Sequence, residues 1–281
     1  MTTRINKRTA LLIGAGYTAR ALVPALLARG IRVVVTTRNG TCDLEGVRCL
    51  TFDGTASPEL GQAFKAADII LSSIPPDRRT GEDAALRAFG HLETKASWIG
   101  YLSATSVYGD RDGGWAFETE WPTPGLGRGR HRAEAELGWL ETGWPAHIFR
   151  LAGIYGPGRL PFAKLRNGTA RAVIKSGHIV NRIHVADIVS VVLASIDTPD
   201  PQAVYNIADG NPAPPQDVLD FAARLLDLPP PPRVDVNDLQ VSDMARSFYV
   251  ESKRIDITKA QRELGWIPRY PDYRAGLRAA L

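Results

Sequence analysis

The chain has 281 residues, of which 44% are hydrophobic and 23% are charged, and its formal net charge is +4. This length suffices for one large α/β domain, or for one domain with a small lobe. The basic excess is weak and evenly spread, which argues against a nucleic-acid partner and suits an anionic small molecule. No apolar run approaches the roughly 20 residues of a membrane span, so no membrane partner is expected.

Two features bear on the compartment. The start, MTTRINKRTALLIG, resembles the basic region of a secretory signal, yet its apolar stretch is short and runs directly into glycines. We therefore predict a first strand here and a cytoplasmic protein. Cys42 and Cys49 have no neighbouring His or Cys pair, which excludes a zinc site and favours two free thiols in a reducing compartment.

Strand and helix patterns alternate over the first 210 residues. The predicted strands cover Thr9–Ile13, Ile31–Thr36, Val47–Phe52, Asp68–Ser72, Trp98–Leu102, Ala146–Leu151 and Ala203–Ile207. The predicted helices cover Thr18–Arg29, Pro58–Lys65, Glu82–Thr94, His131–Leu140 and Val185–Ile196. This alternation predicts an α/β fold with a Rossmann-type, doubly wound parallel sheet.

The C-terminal region has a different pattern. Residues 211–281 contain the run Pro229–Pro232 and few strand signals, with one amphipathic helix expected over Asp217–Leu226. We assign residues 1–160 with 178–210 to a dinucleotide-binding Rossmann domain. We assign residues 161–177 with 211–281 to a small substrate-binding lobe.

A glycine-rich turn joins the first strand to the first helix. Residues 14–19 read GAGYTA, which fits the G-x-G-x-x-A pattern inside a βαβ unit of the right length. Such a turn lets the backbone approach a pyrophosphate and directs helix N–H groups at it. We predict that the cofactor is bound by Gly14, Gly16, Tyr17, Thr18 and Ala19; the alternative is a glycine turn without a ligand.

The end of the second strand bears on the choice of cofactor. NAD-binding proteins carry an acidic residue about 20 positions after the glycines, where it binds the ribose 2′-hydroxyl. This chain reads VTTR at 35–38 and has no carboxylate there. Arg38 and Thr37 suit a 2′-phosphate, so we favour NADP over NAD. The alternative is that Arg38 is a solvated loop residue.

Two further strand ends are expected to meet the cofactor. Asp53 follows the third strand and is predicted either to accept a hydrogen bond from the adenine amino group or to cap the next helix. Ser72, Ser73 and Ile74 follow the fourth strand and are predicted to lie along the cofactor at the point where the strand order reverses.

Several segments resemble one protein family, the extended short-chain dehydrogenases/reductases of the NAD-dependent epimerase/dehydratase group. LSATSVYG (102–109) resembles its SSxSVYG, RLAGIYGPGR (150–159) is similar to its RxxxxYGPGR, and NRIHVAD (181–187) is similar to its xxxIHVxD. YNI (205–207), SKR (252–254) and LGW (264–266) match its later segments. The resemblance covers nearly the whole chain in order, and within it Leu151 and Ile154 are predicted to contact the cofactor.

The resemblance implies a Ser/Thr–Tyr–Lys triad whose tyrosine is the acid/base. Here the hydroxyl position falls on Ala104, and the tyrosine and lysine positions fall on Arg128 and Arg132. An arginine stays charged and cannot donate a proton near neutral pH. We predict that Arg132 binds the ribose and Arg128 a substrate oxygen, and that a nearby hydroxyl, from Ser103, Thr105 or Ser106, replaces the missing one.

Alternatives to this site remain open. His131 and Tyr108 are conceivable acid/bases, although each is more simply explained by packing. The two arginines could equally point to solvent and be neutralised by Glu134 or Glu136. His184, in the IHV segment, is expected to pack rather than to do chemistry.

The segment between Arg159 and Asn181 is short for gripping a nucleotide sugar and is basic, either as a solvated loop or to capture a small acidic substrate. We expect an NADP-dependent oxidoreductase or epimerase/dehydratase relative that acts on a small carbonyl or acidic compound with a non-standard active site. The alternatives are an NADP-binding sensor or scaffold without redox activity, and a non-redox lyase or cyclase. A homodimer is left open.

Overall fold

A computed structural model describes residues 7–125, 127–238 and 249–281 of the chain. The chain packs into two compact units. Unit 1 is formed by Met1–Val107, Leu126–Arg150 and Val189–Tyr205, and unit 2 by Tyr108–Gly125, Leu151–Ile188 and Asn206–Leu281. Four segments that the sequence-based division gave to the Rossmann domain pack in unit 2, namely residues 108–125, 151–160, 178–188 and 206–210.

The strands, in chain order, are β1 (Thr9–Ile13), β2 (Arg32–Thr37), β3 (Val47–Thr51), β4 (Ile69–Ser72), β5 (Trp98–Ala104), β6 (Trp115–Ala116), β7 (Ala146–Leu151), β8 (Gly153–Tyr155), β9 (Ala172–Ile174), β10 (Arg182–His184), β11 (Val204–Ile207), β12 (Arg233–Asp235) and β13 (Arg254–Ile255).

The helices are α1 (Tyr17–Ala28), α2 (Pro58–Ala66), α3 (Ala84–Phe89), α4 (Gly127–Glu141), α5 (Phe162–Arg166), α6 (Val185–Asp197), α7 (Pro215–Leu225), α8 (Thr258–Leu264) and α9 (Tyr273–Arg278). One 3₁₀ turn, Thr105–Tyr108, follows β5, and another covers Val236–Asp238. Among the described residues, no helix combines the length and the apolar composition that crossing a membrane requires.

The central sheet confirms the predicted Rossmann-type α/β fold. It is parallel and has the strand order β11-β7-β5-β4-β1-β2-β3. The chain moves outward from β1 to β3 and returns to the other side of β1 as β4, so the order reverses between β1 and β4. Ile13 pairs with Ser72 across this point, which brings the glycine turn beside Ser73. Ligands of open α/β sheets bind at such reversals, beyond the carboxyl ends of the strands.

The sheet strands are apolar because helices cover both faces. All four residues of β4 and all six of β7 are buried. Helix α1 buries Ala19, Leu22 and Leu26 at the spacing of one helical face. On the other side of the core, Phe64 and Phe89 stack with ring centroids 4.6 Å apart.

One predicted helix is shorter than expected. The pattern predicted Glu82–Thr94, whereas α3 covers only Ala84–Phe89. The Asp83 carboxylate starts the helix by accepting hydrogen bonds from the N–H groups of Ala85 and Leu86. The chain turns away at Gly90, where an added Cβ would overlap the Leu86 carbonyl oxygen.

Unit 2 contains short strands that the sequence did not reveal. Three parallel pairs, β8 with β10, β9 with β12 and β6 with β13, join segments distant in sequence. Residues 211–281, where few strand signals were seen, contain β12 and β13, whose two or three residues are too few for a periodicity. Helices α5, α7 and α9 enclose a separate core of Phe162, Phe221, Tyr273 and Leu277.

The two cysteines form a disulfide, with their Cα atoms 6.2 Å apart. The prediction of two free thiols is wrong. The register of β2 and β3 places Cys49 opposite Val35, and the loop from Thr37 returns along β3, which brings Cys42 to it. Because Cys42 and Cys49 are paired, they no longer indicate a reducing compartment.

Gly109, in the SVYG segment, generates a stability prediction. It has φ +65°, and an added Cβ would overlap the Thr123 carbonyl oxygen. Gly143 is the matched control, because it has φ +74° and nothing within 4 Å of an added Cβ. Left-handed backbone costs an L-residue about 1–2 kcal/mol, so Gly143→Ala should lose that amount. Gly109→Ala should lose about 2–4 kcal/mol in urea unfolding, since overlap adds to strain; equal losses would contradict this packing.

Candidate cofactor and active site

The glycine turn is fixed by three hydrogen bonds within unit 1. Gly14 N–H donates to Thr36 Oγ1 at 2.8 Å, and Ala15 N–H donates to the Thr36 carbonyl at 2.9 Å. Ser73 Oγ donates to the Gly14 carbonyl at 2.7 Å. Gly14 has φ +92°, a backbone conformation that favours glycine. The turn is therefore tied to β2 on one side and to the end of β4 on the other.

The space beside Gly16 fits a diphosphate. Gly16 is exposed, and an added Cβ would meet no atom within 4 Å. Gly16 is also the N-cap of α1, which starts without a side-chain cap. A helix N-terminus that has no side-chain cap and lies beside such open space is an arrangement that can bind phosphate.

The next three predicted residues differ in exposure. Tyr17 is half-buried, whereas Thr18 is 8% exposed and Ala19 is fully buried. Ala19 packs α1 on the sheet, which is the role expected of the last small residue of the motif. Thr18 and Ala19 can therefore meet a ligand only through their backbone groups.

The end of β2 presents a cation without a neighbouring carboxylate partner. Arg38 is exposed, and within residues 7–125, 127–238 and 249–281 its guanidinium has no hydrogen-bond or salt-bridge partner. Asp43, in the following loop, pairs instead with Arg20. Thr37 Oγ1 lies within hydrogen-bond distance of Asn39 Oδ1 and the Thr41 carbonyl.

Asp53 does not cap the following helix. Ser57 is the N-cap of α2, and its Oγ accepts from Leu60 N–H at 3.1 Å. Asp53 is exposed and accepts only from Thr55 N–H, at 3.0 Å, among the contacts of the described chain. The capping alternative is thus wrong, and the adenine contact stays a prediction.

The residues after β4 support the turn. Ser72 is buried, Ser73 holds the Gly14 carbonyl, and the Ile74 side chain lies against the space that a Cβ on Gly14 would fill. Ser73 and Ile74 therefore shape the turn directly, whether or not they also contact a cofactor.

Ser103 belongs to a buried charged cluster in unit 1. Its hydroxyl donates to Glu136 Oε1, and Arg150 donates from Nε and Nη2 to the same carboxylate, with the shortest bond at 2.8 Å. Each of the three residues is less than 5% exposed. Sequence reasoning missed this cluster, although Arg150 opens the RxxxxYGPGR segment and Glu136 lies four residues after Arg132.

Arg132 is anchored on the end of β5. Its Nη1 donates to the Leu102 carbonyl at 2.6 Å and to the Tyr101 hydroxyl at 3.2 Å. Burial raises the pKa of Tyr101, which keeps that phenol neutral. Arg128, one turn earlier on α4, is exposed. Glu136 is buried with Arg150 and so does not neutralise these arginines, whereas Glu134, the other residue of the solvent-facing alternative, is exposed.

The alternative acid/bases are packed residues. Tyr108 is fully buried, and its hydroxyl donates to Asn206 Oδ1 at 2.8 Å. His131 is half-buried against Gly81, where its ring fills the place of a side chain. Thr105 is half-buried at the start of the 3₁₀ turn. Within the described part of the chain, no three His, Cys, Asp or Glu side chains form a metal site.

Leu151, Ile154 and His184, which the sequence also singled out, lie in unit 2. Leu151, at the end of β7, is buried, and Ile154, in β8, is half-buried. The His184 ring packs between Tyr155 and Tyr270, with centroid distances of 5.1 and 4.1 Å. Burial lowers the pKa of His184, which keeps the ring neutral. The expectation that His184 packs rather than reacts agrees with these contacts.

Asp209 is a buried carboxyl that sequence reasoning missed. Its Oδ1 accepts from Asn211 N–H at 3.0 Å, whereas its Oδ2 has no partner among the described atoms. Burial raises its pKa to about 7, and the nearby carboxylates of Asp272 and Asp187 add to the rise, while Arg182 opposes it. The only signal was its position, directly after the buried strand β11.

This shift predicts how stability depends on pH. A carboxyl whose pKa is raised in the folded state stabilises the fold while protonated, and that contribution is lost as the pH rises from about 4 through 7. The shift of about 3 units, at about 1.4 kcal/mol each, sets an upper limit of about 4 kcal/mol. Asp209→Asn should therefore be more stable than the wild type at pH 8, with the gain shrinking toward pH 4.

Thermal unfolding across this pH range measures the gain. Asp235→Asn, at an exposed carboxylate of the same unit, is the control and should show no such trend. A gain for Asp209→Asn that does not change with pH would show that Asp209 does not titrate as its burial requires.

Known proteins that are similar to this chain identify its family. No protein-family model matches it. The Escherichia coli K12 protein YeeZ is 32% identical to it over 282 residues, which cover 93% of this chain and 96% of YeeZ. The structure of a functionally unknown conserved protein from Silicibacter pomeroyi superposes with a TM-score of 0.90 at 44% identity, over 98% of both chains.

More distant structures share the fold. The dTDP-glucose 4,6-dehydratase of Bacillus anthracis, in complex with NAD, has a TM-score of 0.79 at 16% identity over 97% of this chain and 95% of its own. The UDP-glucuronic acid 4-epimerase of Bacillus cereus, in complex with NAD, has a TM-score of 0.76 at 18% identity over 96% of both. The chain therefore belongs to the family of YeeZ, and its fold is that of the extended, epimerase/dehydratase-like short-chain dehydrogenases/reductases.

Proposed function

We propose that this protein binds NADP and acts as an atypical short-chain oxidoreductase or epimerase/dehydratase relative on a small carbonyl or acidic compound. The observation that carries the proposal is the glycine turn. Its backbone is tied to β2 and to Ser73 after β4, an added Cβ on Gly16 would meet no atom within 4 Å, and α1 starts without a side-chain cap. A diphosphate bound there would accept hydrogen bonds from backbone N–H groups, and open α/β sheets bind dinucleotides beyond the carboxyl ends of their strands.

The residues at the end of β2 support the preference for NADP. The fold neighbours were solved with NAD, so they do not favour NADP. In this chain the residue types at 35–38 include no carboxylate that would repel a 2′-phosphate. The exposed Arg38 guanidinium can donate two parallel hydrogen bonds to that phosphate.

The active site we propose uses fixed positive charge. When bound, the nicotinamide supplies hydride transfer. Arg132, anchored on the Leu102 carbonyl, has remaining N–H donors that suit a ribose hydroxyl. Arg128, exposed one turn earlier, would stabilise negative charge on a substrate oxygen. Ser103 is the less suitable of the predicted hydroxyls, because it already donates to Glu136.

A second candidate is an NADP-binding sensor or scaffold without redox activity. Two observations support this second candidate. The Ser103 hydroxyl is satisfied internally, and the two described tyrosines nearest in sequence to the site, Tyr101 and Tyr108, are buried. A protein that only reports cofactor binding needs the glycine turn and Arg38 but no acid/base.

The cofactor proposal is tested by titrating NADPH and NADH into the protein in a calorimeter. Arg38→Ala should weaken NADPH about 10–100-fold and leave NADH unchanged, since only NADPH has the 2′-phosphate. Gly16→Val should abolish binding of both without lowering the stability of the unliganded protein, because its side chain meets only open space.

Arg29→Ala is the matched control, since Arg29 is also exposed in unit 1 but pairs with Asp197. It should bind both cofactors as the wild type does. Equal loss of NADPH and NADH in Arg38→Ala would refute the 2′-phosphate role.

The distinction between enzyme and sensor is tested by restoring the family's residue types. Arg128→Tyr with Arg132→Lys should raise NADPH oxidation with a panel of small carbonyl compounds by about tenfold or more, since a positioned proton donor accelerates such steps. The lysine keeps a cation for the Leu102 carbonyl. Absence of turnover in both the wild type and the double variant, with NADPH binding intact, would favour the sensor.

A further inference from the structure

The loop between β2 and β3 carries the residue that we assign to the 2′-phosphate. Strand β2 ends at Thr37 and β3 begins at Val47, so Arg38 is the first residue of this loop. The disulfide joins Cys42, inside the loop, to Cys49, which lies within β3 of the central sheet. One end of this covalent link therefore belongs to the sheet, and the other belongs to the segment that positions Arg38.

The polar contacts that this loop also makes are at the surface. Thr37 Oγ1 donates to the Thr41 carbonyl at 3.0 Å, and Thr41 N–H donates to Asn39 Oδ1 at 3.3 Å, both exposed to solvent. Asp43 pairs with Arg20 at 2.5 Å, with side chains that are 80% and 40% exposed. Exposed hydrogen bonds and ion pairs stabilise little, because water competes for the same groups. The disulfide therefore constrains the loop more strongly than these polar contacts do.

The glycine turn is held independently of this loop. Gly14 N–H donates to Thr36 Oγ1, and the Gly14 carbonyl accepts from Ser73 Oγ. Neither bond involves residues 38–46, so release of the loop leaves the turn in place. The state of the disulfide therefore bears on Arg38 and on a 2′-phosphate, and it does not bear on the diphosphate that NAD and NADP share.

The disulfide can be approached by a small dithiol, because neither Cys42 nor Cys49 is fully buried. A thiolate of the dithiol attacks one cysteine sulfur, the S–S bond breaks, and the second thiolate then displaces the mixed disulfide. Two electrons and two protons pass to Cys42 and Cys49, which become thiols, while the dithiol becomes a cyclic disulfide. A disulfide-containing oxidant reverses the exchange.

We propose that the Cys42–Cys49 disulfide is a redox-sensitive latch on cofactor choice. When closed, it holds the loop so that Arg38 is in place for the 2′-phosphate; when opened, it releases the loop. A released loop has to be ordered again as NADP binds, so the apparent affinity falls with the fraction of molecules in which Arg38 is in place. NAD has no 2′-phosphate and is bound equally in both states. This role rests on the NADP assignment proposed above and adds a regulation of that site.

Fluorescence titration of the full chain with NADPH and NADH, with and without dithiothreitol, tests the latch. Maleimide labelling verifies each state, since the chain has only two cysteines. Reduction should weaken NADPH about 3–10-fold and leave NADH within about twofold. Cys42→Ser with Cys49→Ser is the control for the reductant, and it should behave as the reduced wild type in both buffers. Equal NADPH affinity in the two states, or an equal loss of NADPH and NADH, would overturn the proposal.

Hydrogen exchange of the wild type without nucleotide separates failure of the latch from failure of the NADP assignment. On reduction, the amides of residues 38–46 should exchange about tenfold faster or more, while those of α1 should not change. Unchanged exchange in residues 38–46 would overturn the latch whatever the nucleotide titration gives. Faster exchange in a protein that binds NADPH in neither state would instead overturn the NADP assignment, and with it the effect on cofactor choice.

Discussion

The buried pair of Glu136 and Arg150 determines where the candidate active site lies. It joins α4 to β7, and through Ser103 it also joins α4 to β5. Removing one member of such a pair leaves a buried charge uncompensated and costs about 3–5 kcal/mol. Because Glu136 lies one turn after Arg132, the pair fixes the face of α4 that meets β5 and so holds Arg132 at the Leu102 carbonyl. The Glu136–Arg150 pair thereby also sets the position on α4 of the arginines at the family's tyrosine and lysine positions.

Several of the segments that resemble the family make packing contacts with one another. In unit 2 the Asn181 side chain donates to the Lys253 carbonyl and accepts from Ile255 N–H, so the NRIHVAD and SKR segments hold each other. Asp187 accepts from the N–H groups of Arg269 and Tyr270. Such bonds preserve a scaffold whatever reaction it supports. The departures at Ala104, Arg128 and Arg132 lie outside these bonds, and they are therefore the informative ones for function.

The sequence predicted the central sheet well because its strands are buried on both faces and bounded by turns. It also located the glycine turn, whose tie to Thr36 and Ser73 follows from the register of β1 with its neighbours. It failed where contacts join distant segments. The two- and three-residue strands of unit 2, the Cys42–Cys49 disulfide and the ionisation of Asp209 all depend on what burial brings together, and no local pattern encodes that.

The central claim is that an intact dinucleotide frame, with Arg38 reading a 2′-phosphate, lies beside an acid/base site that has been replaced by arginines. A ³¹P NMR titration of NADPH with the protein tests the frame most directly, because it observes the pyrophosphate and the 2′-phosphate separately. The account predicts that both signals shift on binding and that the 2′-phosphate stays dianionic to lower pH, since a guanidinium favours its charged form. A shifted pyrophosphate with an unperturbed 2′-phosphate, or no shift of either signal, would contradict it.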